Sequence, residues 1–206
     1  MKEARRQRRV RRAEDTMLRM LLLCAALLLA PLPCMAAEAE GGNATPGKSL
    51  WGRFSRRVSQ TWNSPAVDLY VPVYTWHNRL MYDTERTEKY NENPWGAGIG
   101  KSFEDEDGDW HALYYMGFQA SHDMYQPIVG YAYQKNWRPA QTDDFRLGLG
   151  FTLGITARQQ YNYIPLPLPL PIFGVEYKRL ALQATYIPGG YNNGNVLFCW
   201  LRWRLN

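Results

Sequence analysis

The residues of this chain with the clearest chemical potential are two separate histidines, His77 and His111, and the string Ser121-His122-Asp123. A serine, a histidine and an acid can work together, because the histidine removes a proton while the acid fixes its tautomer. Neighbouring residues of an extended segment point to opposite faces, so we interpret the contiguous string as chance. His111 begins a predicted strand beside Trp110 and is interpreted as structural. Which of the other residues can meet depends on the elements that position them.

Metal and phosphate chemistry have no motif in this sequence. No pair of His or Cys has the spacing of metal ligands, and the acidic run from Glu104 to Asp109 is interpreted as a solvated turn. No glycine-rich phosphate loop with a lysine is present. The sequence therefore predicts neither a metal nor a cofactor.

The first forty residues have the layout of a secretory signal peptide. An arginine-rich stretch from Arg5 to Arg12 precedes an apolar run from Leu21 to Ala30, and small residues follow. Because the apolar run is too short for a helix that spans a bilayer, we predict a cleaved leader over residues 1–37 and a linker over residues 38–50.

The leader also accounts for the charge of the chain. Residues 1–36 hold eight Lys or Arg and three acidic residues, which is the whole net charge of +5, so the remainder is neutral. A basic surface for nucleic acid is therefore not expected. Only Cys199 remains after cleavage, which excludes an intrachain disulfide.

The segment from Phe145 to Thr156 alternates without error between large hydrophobes and small or polar residues. This period of two predicts a strand with one apolar face, about as long as the roughly ten residues with which a tilted strand crosses a bilayer. A half-buried strand on a soluble core is the alternative. No later stretch reaches the roughly twenty apolar residues of a membrane helix, so a soluble periplasmic domain and a closed barrel remain. The leader favours the barrel.

A helix and eight strands are predicted after the linker. Apolar residues recur at helical spacing over residues 51–64, which indicates an amphipathic helix at a membrane interface; a helix capping a soluble core is the alternative. Eight is an even number, as a single-chain outer-membrane barrel requires. We therefore predict an all-β fold over residues 66–206, an eight-stranded antiparallel transmembrane β-barrel with an N-terminal amphipathic helix. The strand candidates are 68–83, 95–102, 110–119, 126–135, 145–157, 164–176, 179–187 and 195–205.

Two strand candidates carry information about the barrel wall and interior. Prolines at 165, 167, 169 and 171 lack the N–H that a ladder needs, so the sheet is expected to open there, with a second gap near Pro188. Such gaps indicate lateral passage between membrane and interior; an irregular extracellular edge is the alternative. In the last strand the even positions change from apolar at Val196 to charged at Arg204. If they face inward, one end of the interior is lined by hydrocarbon and suits an acyl chain.

Five segments give the chain a specific resemblance. They are Asp68-Leu-Tyr-Val-Pro-Val-Tyr-Thr-Trp-His77, Tyr90-Asn-Glu-Asn-Pro-Trp-Gly96, Leu147-Gly-Leu-Gly-Phe-Thr152, Asn162-Tyr-Ile-Pro-Leu-Pro167 and Thr185-Tyr-Ile-Pro-Gly-Gly-Tyr-Asn-Asn-Gly-Asn195. With these, the chain resembles the PagP family of outer-membrane lipid A palmitoyltransferases over nearly all residues after about Ser59. The resemblance implies that the predicted helix lies on the periplasmic side of the barrel. It also implies transfer of a palmitoyl group from the sn-1 position of a phospholipid donor to a hydroxyacyl chain of the lipid A acceptor. We expect a monomer among the lipids of the Gram-negative outer membrane.

The resemblance also implies a site. In the family a His on the first strand acts with an adjacent Asp-Ser pair after the third; His77 matches the His and Ser121 the Ser, but Ala120 stands in place of the Asp. Threading the strands upward from the helix independently puts His77 and the 120–125 loop at the same outer end. Asp123, in that loop, is our candidate for the missing carboxylate. We expect the replacement by Ala120 to alter the activity.

Further roles follow from the same resemblance. Ala132 takes the position of a family Gly that forms the floor of the acyl pocket, so we expect a preference shifted to chains shorter than palmitate, unless Gly148 or Gly150 compensates. Arg86 is implied to contact lipid A phosphates, although an exposed arginine in a charged loop is more often solvated. Three residues are implied to form phospholipid gates: Pro171, Pro188 and Tyr191.

Two other functions stay open at this point. Because Ala120 replaces the family Asp, a structural or lipid-binding barrel without catalysis is one alternative. An outer-membrane phospholipase would use the same Ser and His with water as the acceptor. Loss of lipid A acylation in a His77→Ala variant would support acyl transfer at this site. Release of free fatty acid without growth of lipid A would support the phospholipase.

Overall fold

The computed structural model of the protein describes residues 49–88, 90–119, 125–139, 142, 144–157 and 164–206. The predicted leader, and the predicted linker up to residue 48, lie outside the described residues. Within the described part of the chain, no helix is long and apolar enough to cross a membrane.

Helix α1 spans Leu50–Asn63 and packs against one end of the barrel. The hydroxyl of Ser49 caps it by accepting the N–H of Gly52 at 3.0 Å. Residue 65 is a proline, which has no N–H to continue the helix. Phe54 meets the Tyr131 ring edge to face, with centroids 5.1 Å apart, while the tryptophans at 51 and 62 stay exposed. The helix therefore has a barrel face and an exposed aromatic face.

The described residues form eight strands in a closed antiparallel barrel, in which each strand pairs with its neighbours in sequence and the last pairs with the first. This confirms the predicted fold class. The strands are β1 (Val67–His77), β2 (Gly96–Glu104), β3 (Trp110–Gln119), β4 (Tyr125–Trp137), β5 (Phe145–Ala157), β6 (Pro165–Tyr177), β7 (Leu180–Ile187) and β8 (Val196–Arg204).

The first strand was predicted too long. It ends at His77 rather than at residue 83, because the side-chain oxygen of Asn78 accepts the N–H of Leu80 at 3.0 Å and turns the chain. The backbone N–H of Met81 also donates to the carbonyl of Asn78. A short helix that the sequence did not predict, α2 (Thr84–Thr87), follows in the same connection.

The two faces of β5 and β8 are as predicted. Leu149 and Ile155 of β5 are about half exposed on the outside, while Thr152 and Thr156 are buried inside. In β8 the even positions face inward and the odd positions face outward, ending with the exposed Trp203.

The interior is layered between the barrel end opposite α1, called the outer end below, and the α1 end. The apolar layer consists of Tyr70, Trp110, Ala112, Met116, Ala132, Ile172, Phe198 and Trp200. A hydrogen-bonded layer borders it, in which Trp200 donates to Gln183 at 3.1 Å and Gln183 donates to Gln134 at 3.0 Å. Ion pairs fill the α1 end, where Arg202 lies between Asp68 and Glu176. Along the inward face of β8 the side chains therefore change from apolar to charged, as predicted.

The wall is open at two places near the outer end. Residues 165–171 of β6 pair with β5, but pairing with β7 begins only at Ile172. The four prolines alternate, so all of their missing N–H groups point to the β7 side. The prediction of a separate gap next to Pro188 was wrong. β7 pairs with β8 up to Ile187, and Pro188 borders the first opening instead. The second opening lies between β1 and β2, which pair only over residues 67–70 of β1.

Candidate functional site

His77 is the last residue of β1, at the barrel end opposite α1, and its side chain is buried in the interior with 3% exposure. A β-bulge between Pro72 and Tyr74 decides this direction. Before the bulge the even positions face inward, whereas Thr75 and His77 face inward after it, because the additional residue inverts the alternation. Without the bulge, His77 would point to the outside.

Glu92, in the connection between β1 and β2, holds His77 in place. Its Oε1 lies 3.1 Å from Nδ1 of His77 and accepts the backbone N–H of the same residue at 3.2 Å. Its Oε2 accepts from the guanidinium of Arg79 at 2.7 Å and from the hydroxyl of Tyr74 at 3.3 Å. Glu92 was not among the residues predicted from the sequence, although it lies within the segment Tyr90–Gly96 that carries part of the family resemblance.

Two tyrosine rings enclose the imidazole. The Tyr82 ring meets the His77 ring edge to face at 5.3 Å, and the Tyr90 ring lies 4.7 Å away at an angle of 35°. The hydroxyl of Tyr82 donates to the carbonyl of Gly194 in the connection between β7 and β8. The aromatic contacts therefore restrict the ring of His77, and Tyr82 links it to the connection between β7 and β8.

The connections after β1 and after β7 are joined directly. Asp83 accepts from the hydroxyl of Tyr191 and from the side-chain amide of Asn192, the latter at 2.8 Å. The backbone N–H of Asn192 donates to the carbonyl of Met81, also at 2.8 Å. These bonds make the two connections one unit above His77.

The Glu92 carboxyl, which lies in a loop outside the strands, is held in its ionised form. Burial alone would raise the pKa of Glu92, but the hydrogen bonds from His77 and Arg79 outweigh it and the pKa is lowered. A negative charge therefore faces the imidazole at neutral pH, which favours an imidazolium during proton transfer.

A cleft of about 400 Å³ opens beside this unit, lined by Arg79, Tyr82, Thr87 and Glu88. Arg79 contributes to both the cleft and the Glu92 contact. The cleft thus lies next to the buried histidine and offers a cation, a carboxylate and hydroxyl groups to a polar ligand.

The predicted pocket floor lies deeper in the interior. Ala132 of β4 is buried with 1% exposure in the apolar layer. A Cβ added to Gly148 would lie 1.9 Å from the amide nitrogen of Gln134, so that side chain already fills the space beside Gly148. A Cβ added to Gly150 would meet the backbone carbonyl of Tyr133 at 1.9 Å. Both glycines are therefore required by their close neighbours in β4.

Comparison with known proteins decides the family. Residues 57–202 match the family model described as antimicrobial peptide resistance and lipid A acylation protein PagP. The chain belongs to the PagP family. A lipid A acyltransferase PagP of Serratia proteamaculans is 56% identical over 90% of this chain and 97% of that protein. Relatives with the same name in Photorhabdus laumondii and Dickeya chrysanthemi are 60% and 52% identical, over 76% and 90% of this chain and 75% and 95% of theirs.

The solved structure of the Yersinia pestis outer membrane protein Ail covers 68% of this chain and 99% of Ail, with a TM-score of 0.36 and 10% identity. That similarity is too low to support an argument about this chain.

The described residues include only part of the site that the PagP resemblance implies. Ser121, Asp123 and Ala120 lie outside the described residues. The strands that flank them, β3 and β4, end and begin at the same outer end as His77. Arg86 lies in α2, and its side chain is outside the described part. The roles of these four residues stay predictions.

Two of the three residues implied to gate phospholipid in PagP, Pro171 and Pro188, border the opening between β6 and β7, and the third, Tyr191, lies in the connection after β7. Pro171 is the last β6 residue before pairing with β7 begins, and its carbonyl accepts the hydroxyl of Thr185 at 2.6 Å. Pro188 directly follows β7, and Tyr191 contacts Asp83.

Among the described residues, no group of three or more His, Cys, Asp or Glu could hold a metal ion.

Proposed function

We propose that this member of the PagP family, a lipid A acyltransferase, moves a fatty acyl group from the sn-1 position of a phospholipid to a hydroxyacyl chain of lipid A. The supporting observation is the placement of His77. It is buried at the outer end of the interior, on the strand that borders one opening, and it lies level with Val196 and Ile187, the latter bordering the other opening. A membrane lipid can reach such a residue without leaving the bilayer, since the openings interrupt the wall sideways.

The chemistry proposed for His77 is general base catalysis. Its imidazole takes the proton from the lipid A hydroxyl, and the hydroxyl oxygen attacks the ester carbonyl of the donor. The bond between the acyl carbon and the glycerol oxygen then breaks, and the released lysophospholipid oxygen takes the proton. Ser121 and Asp123 are proposed members of the same site, with Asp123 substituting for the acid that Ala120 cannot provide.

The apolar layer is the proposed acyl pocket. Ala132 supplies a methyl group at its floor, so we expect the transferred chain to be palmitate or slightly shorter. Arg86 is proposed to contact lipid A phosphates, and Pro171, Pro188 and Tyr191 to control passage of the donor. We further propose that the chain is exported by its leader and acts in the Gram-negative outer membrane as a monomer.

Mass spectrometry of lipid A from cells with and without the gene tests this function. The host should be a Gram-negative strain without a lipid A acyltransferase of this kind. We expect an added acyl group with the wild-type gene and none with His77→Ala. An unchanged lipid A with release of free fatty acid would support a phospholipase, and acylation by His77→Ala would exclude the proposed base.

A further inference from the structure

We propose that Glu92 is the positioning residue of His77, fixing its imidazole in the tautomer with hydrogen on Nδ1, so that Nε2 is the nitrogen that takes the acceptor proton. This inference rests on the proposed role of His77 as the base. It names a carboxylate that comes from the connection between β1 and β2, and it does not depend on the residue at position 120.

The tautomer follows from the chemistry of the contact. An ionised carboxylate accepts hydrogen bonds and cannot donate them. The distance of 3.1 Å between Nδ1 of His77 and Oε1 of Glu92 is therefore a hydrogen bond only when Nδ1 carries the hydrogen. In the neutral ring, Nε2 then holds the lone pair. The same oxygen also accepts the backbone N–H of His77, so one atom orients both the ring and its backbone.

Glu92 is itself fixed by groups on its other side. Its Oε2 accepts from Arg79 and from the hydroxyl of Tyr74, and the carboxylate side chain is only 16% exposed. A buried carboxylate without such partners would be costly. With them, its charge and direction are both defined, which is what a group that orients a base must provide.

The backbone of Glu92 is positioned by the barrel wall. Its carbonyl accepts the N–H of Thr75 at 2.8 Å, at a height where β2 does not pair with β1. The connection thus takes the edge of β1 that the second opening leaves unpaired. The Tyr90 ring then packs on the imidazole from the same segment. The opening in the wall and the orientation of His77 therefore have a shared structural origin.

The substitution Glu92→Gln tests the inference on the full mature chain, folded in detergent micelles with phospholipid and lipid A as substrates. Glutamine has nearly the same volume and keeps an oxygen for Arg79, but its amide can also donate to Nδ1, which permits the other tautomer. We expect kcat to fall about 100-fold, within the range that general base catalysis supplies, with KM for both lipids unchanged. The ¹⁵N signals of the His77 ring should change from one tautomer to a mixture.

Two further variants keep the inference falsifiable. Glu85→Gln removes the same charge from the same connection, at an exposed position in α2, and should keep wild-type kcat. Glu92→Asp keeps the charge and should restore part of the activity that Glu92→Gln loses. Wild-type kcat in Glu92→Gln, together with inactivity of His77→Ala, would overturn the role of Glu92 and leave the proposed function standing. Activity of His77→Ala would instead contradict the proposed function.

The tautomer can also be measured without any variant. If Glu92→Gln does not fold, the ¹⁵N signals of His77 in the wild-type protein decide the question. A hydrogen on Nδ1 in the neutral ring supports the inference, and a hydrogen on Nε2 contradicts it.

Discussion

The side chain of Gln134 lies against the bare inner face of Gly148, so that two neighbouring strands interlock at the base of the apolar layer. A Cβ on Gly148 would come within 1.9 Å of the Gln134 amide nitrogen and within 2.2 Å of its amide carbon. Gln134 has little freedom to withdraw, because its side-chain oxygen already lies close to the inner face of Gly174 in β6. The same oxygen accepts a hydrogen bond from the side-chain amide of Gln183. The glycine is therefore a packing requirement of this layer.

Gly148→Ala should destabilise the barrel for this reason. Inserting a methyl group into a packed interior typically costs about 1–3 kcal/mol. Urea unfolding in micelles measures the free energy. The matched control is Gly154→Ala in the same strand, where the added Cβ meets the flexible end of Ile128 at 3.0 Å. Equal losses in both variants would show that Gln134 adapts and that the close contact is not decisive.

Ala132→Gly should lengthen the transferred acyl chain. The substitution removes a buried methyl group from the apolar layer, which makes room for about one methylene. Mass spectrometry of lipid A should then show an added group heavier than the wild-type one. Ala181→Gly is the control, because this buried alanine lies level with Glu176 and Arg202 at the α1 end, outside the apolar layer. A shift of equal size in the control would place the floor elsewhere.

Periodicity was sufficient to predict most of the barrel. The alternation in β5 gave both ends of that strand and its two faces, because each residue contributes to a pattern that only a half-apolar strand satisfies. The prolines of β6 indicated an opening because each lacks an N–H. The sequence of β6 alone could not show whether the pairing with β5 or the pairing with β7 would be lost, because that depends on which edge of the strand its odd-numbered residues face.

The part of the site around His77 was beyond such patterns. Its inward direction depends on a bulge at Pro72 and Tyr74, and a single additional residue leaves no periodic signal. Glu92 reaches His77 because its connection docks on β1, and that contact spans a turn, a short helix and a loop. The residue types in the connection were visible in the sequence, but their meeting depends on tertiary structure.

Arg57→Ala should loosen α1 from the barrel. The Arg57 guanidinium lies 3.1 Å from the carboxylate of Asp105 and 5.9 Å from the centre of the Phe103 ring. A partly exposed ion pair contributes up to about 1 kcal/mol, and the apolar stem of arginine adds packing. We expect a loss of about 1 kcal/mol in unfolding free energy, measured in micelles. Arg56→Ala, at an exposed position of the same helix, should have no measurable effect.

The same contact predicts how stability depends on pH. Asp105 lies in the turn between β2 and β3, outside the strands. Burial alone would raise the pKa of Asp105, but hydrogen bonds from His111 and from the backbone N–H of Asp109, with the charge of Arg57, hold it below its usual range. A carboxyl whose pKa is lower in the folded state stabilises the fold above its unfolded pKa of about 3.9, and this contribution disappears as pH falls through the folded value.

The expected result is a pH-dependent difference between the wild type and Asp105→Asn. The difference in unfolding free energy should be present above about pH 5, and should shrink below about pH 4 as Asp105 takes up a proton. Asp107→Asn, an exposed position in the same turn, controls for the removal of a charge and should show a much smaller difference. A difference for Asp105→Asn that grows toward low pH would have the opposite sign and would mean that the folded protein favours the protonated carboxyl.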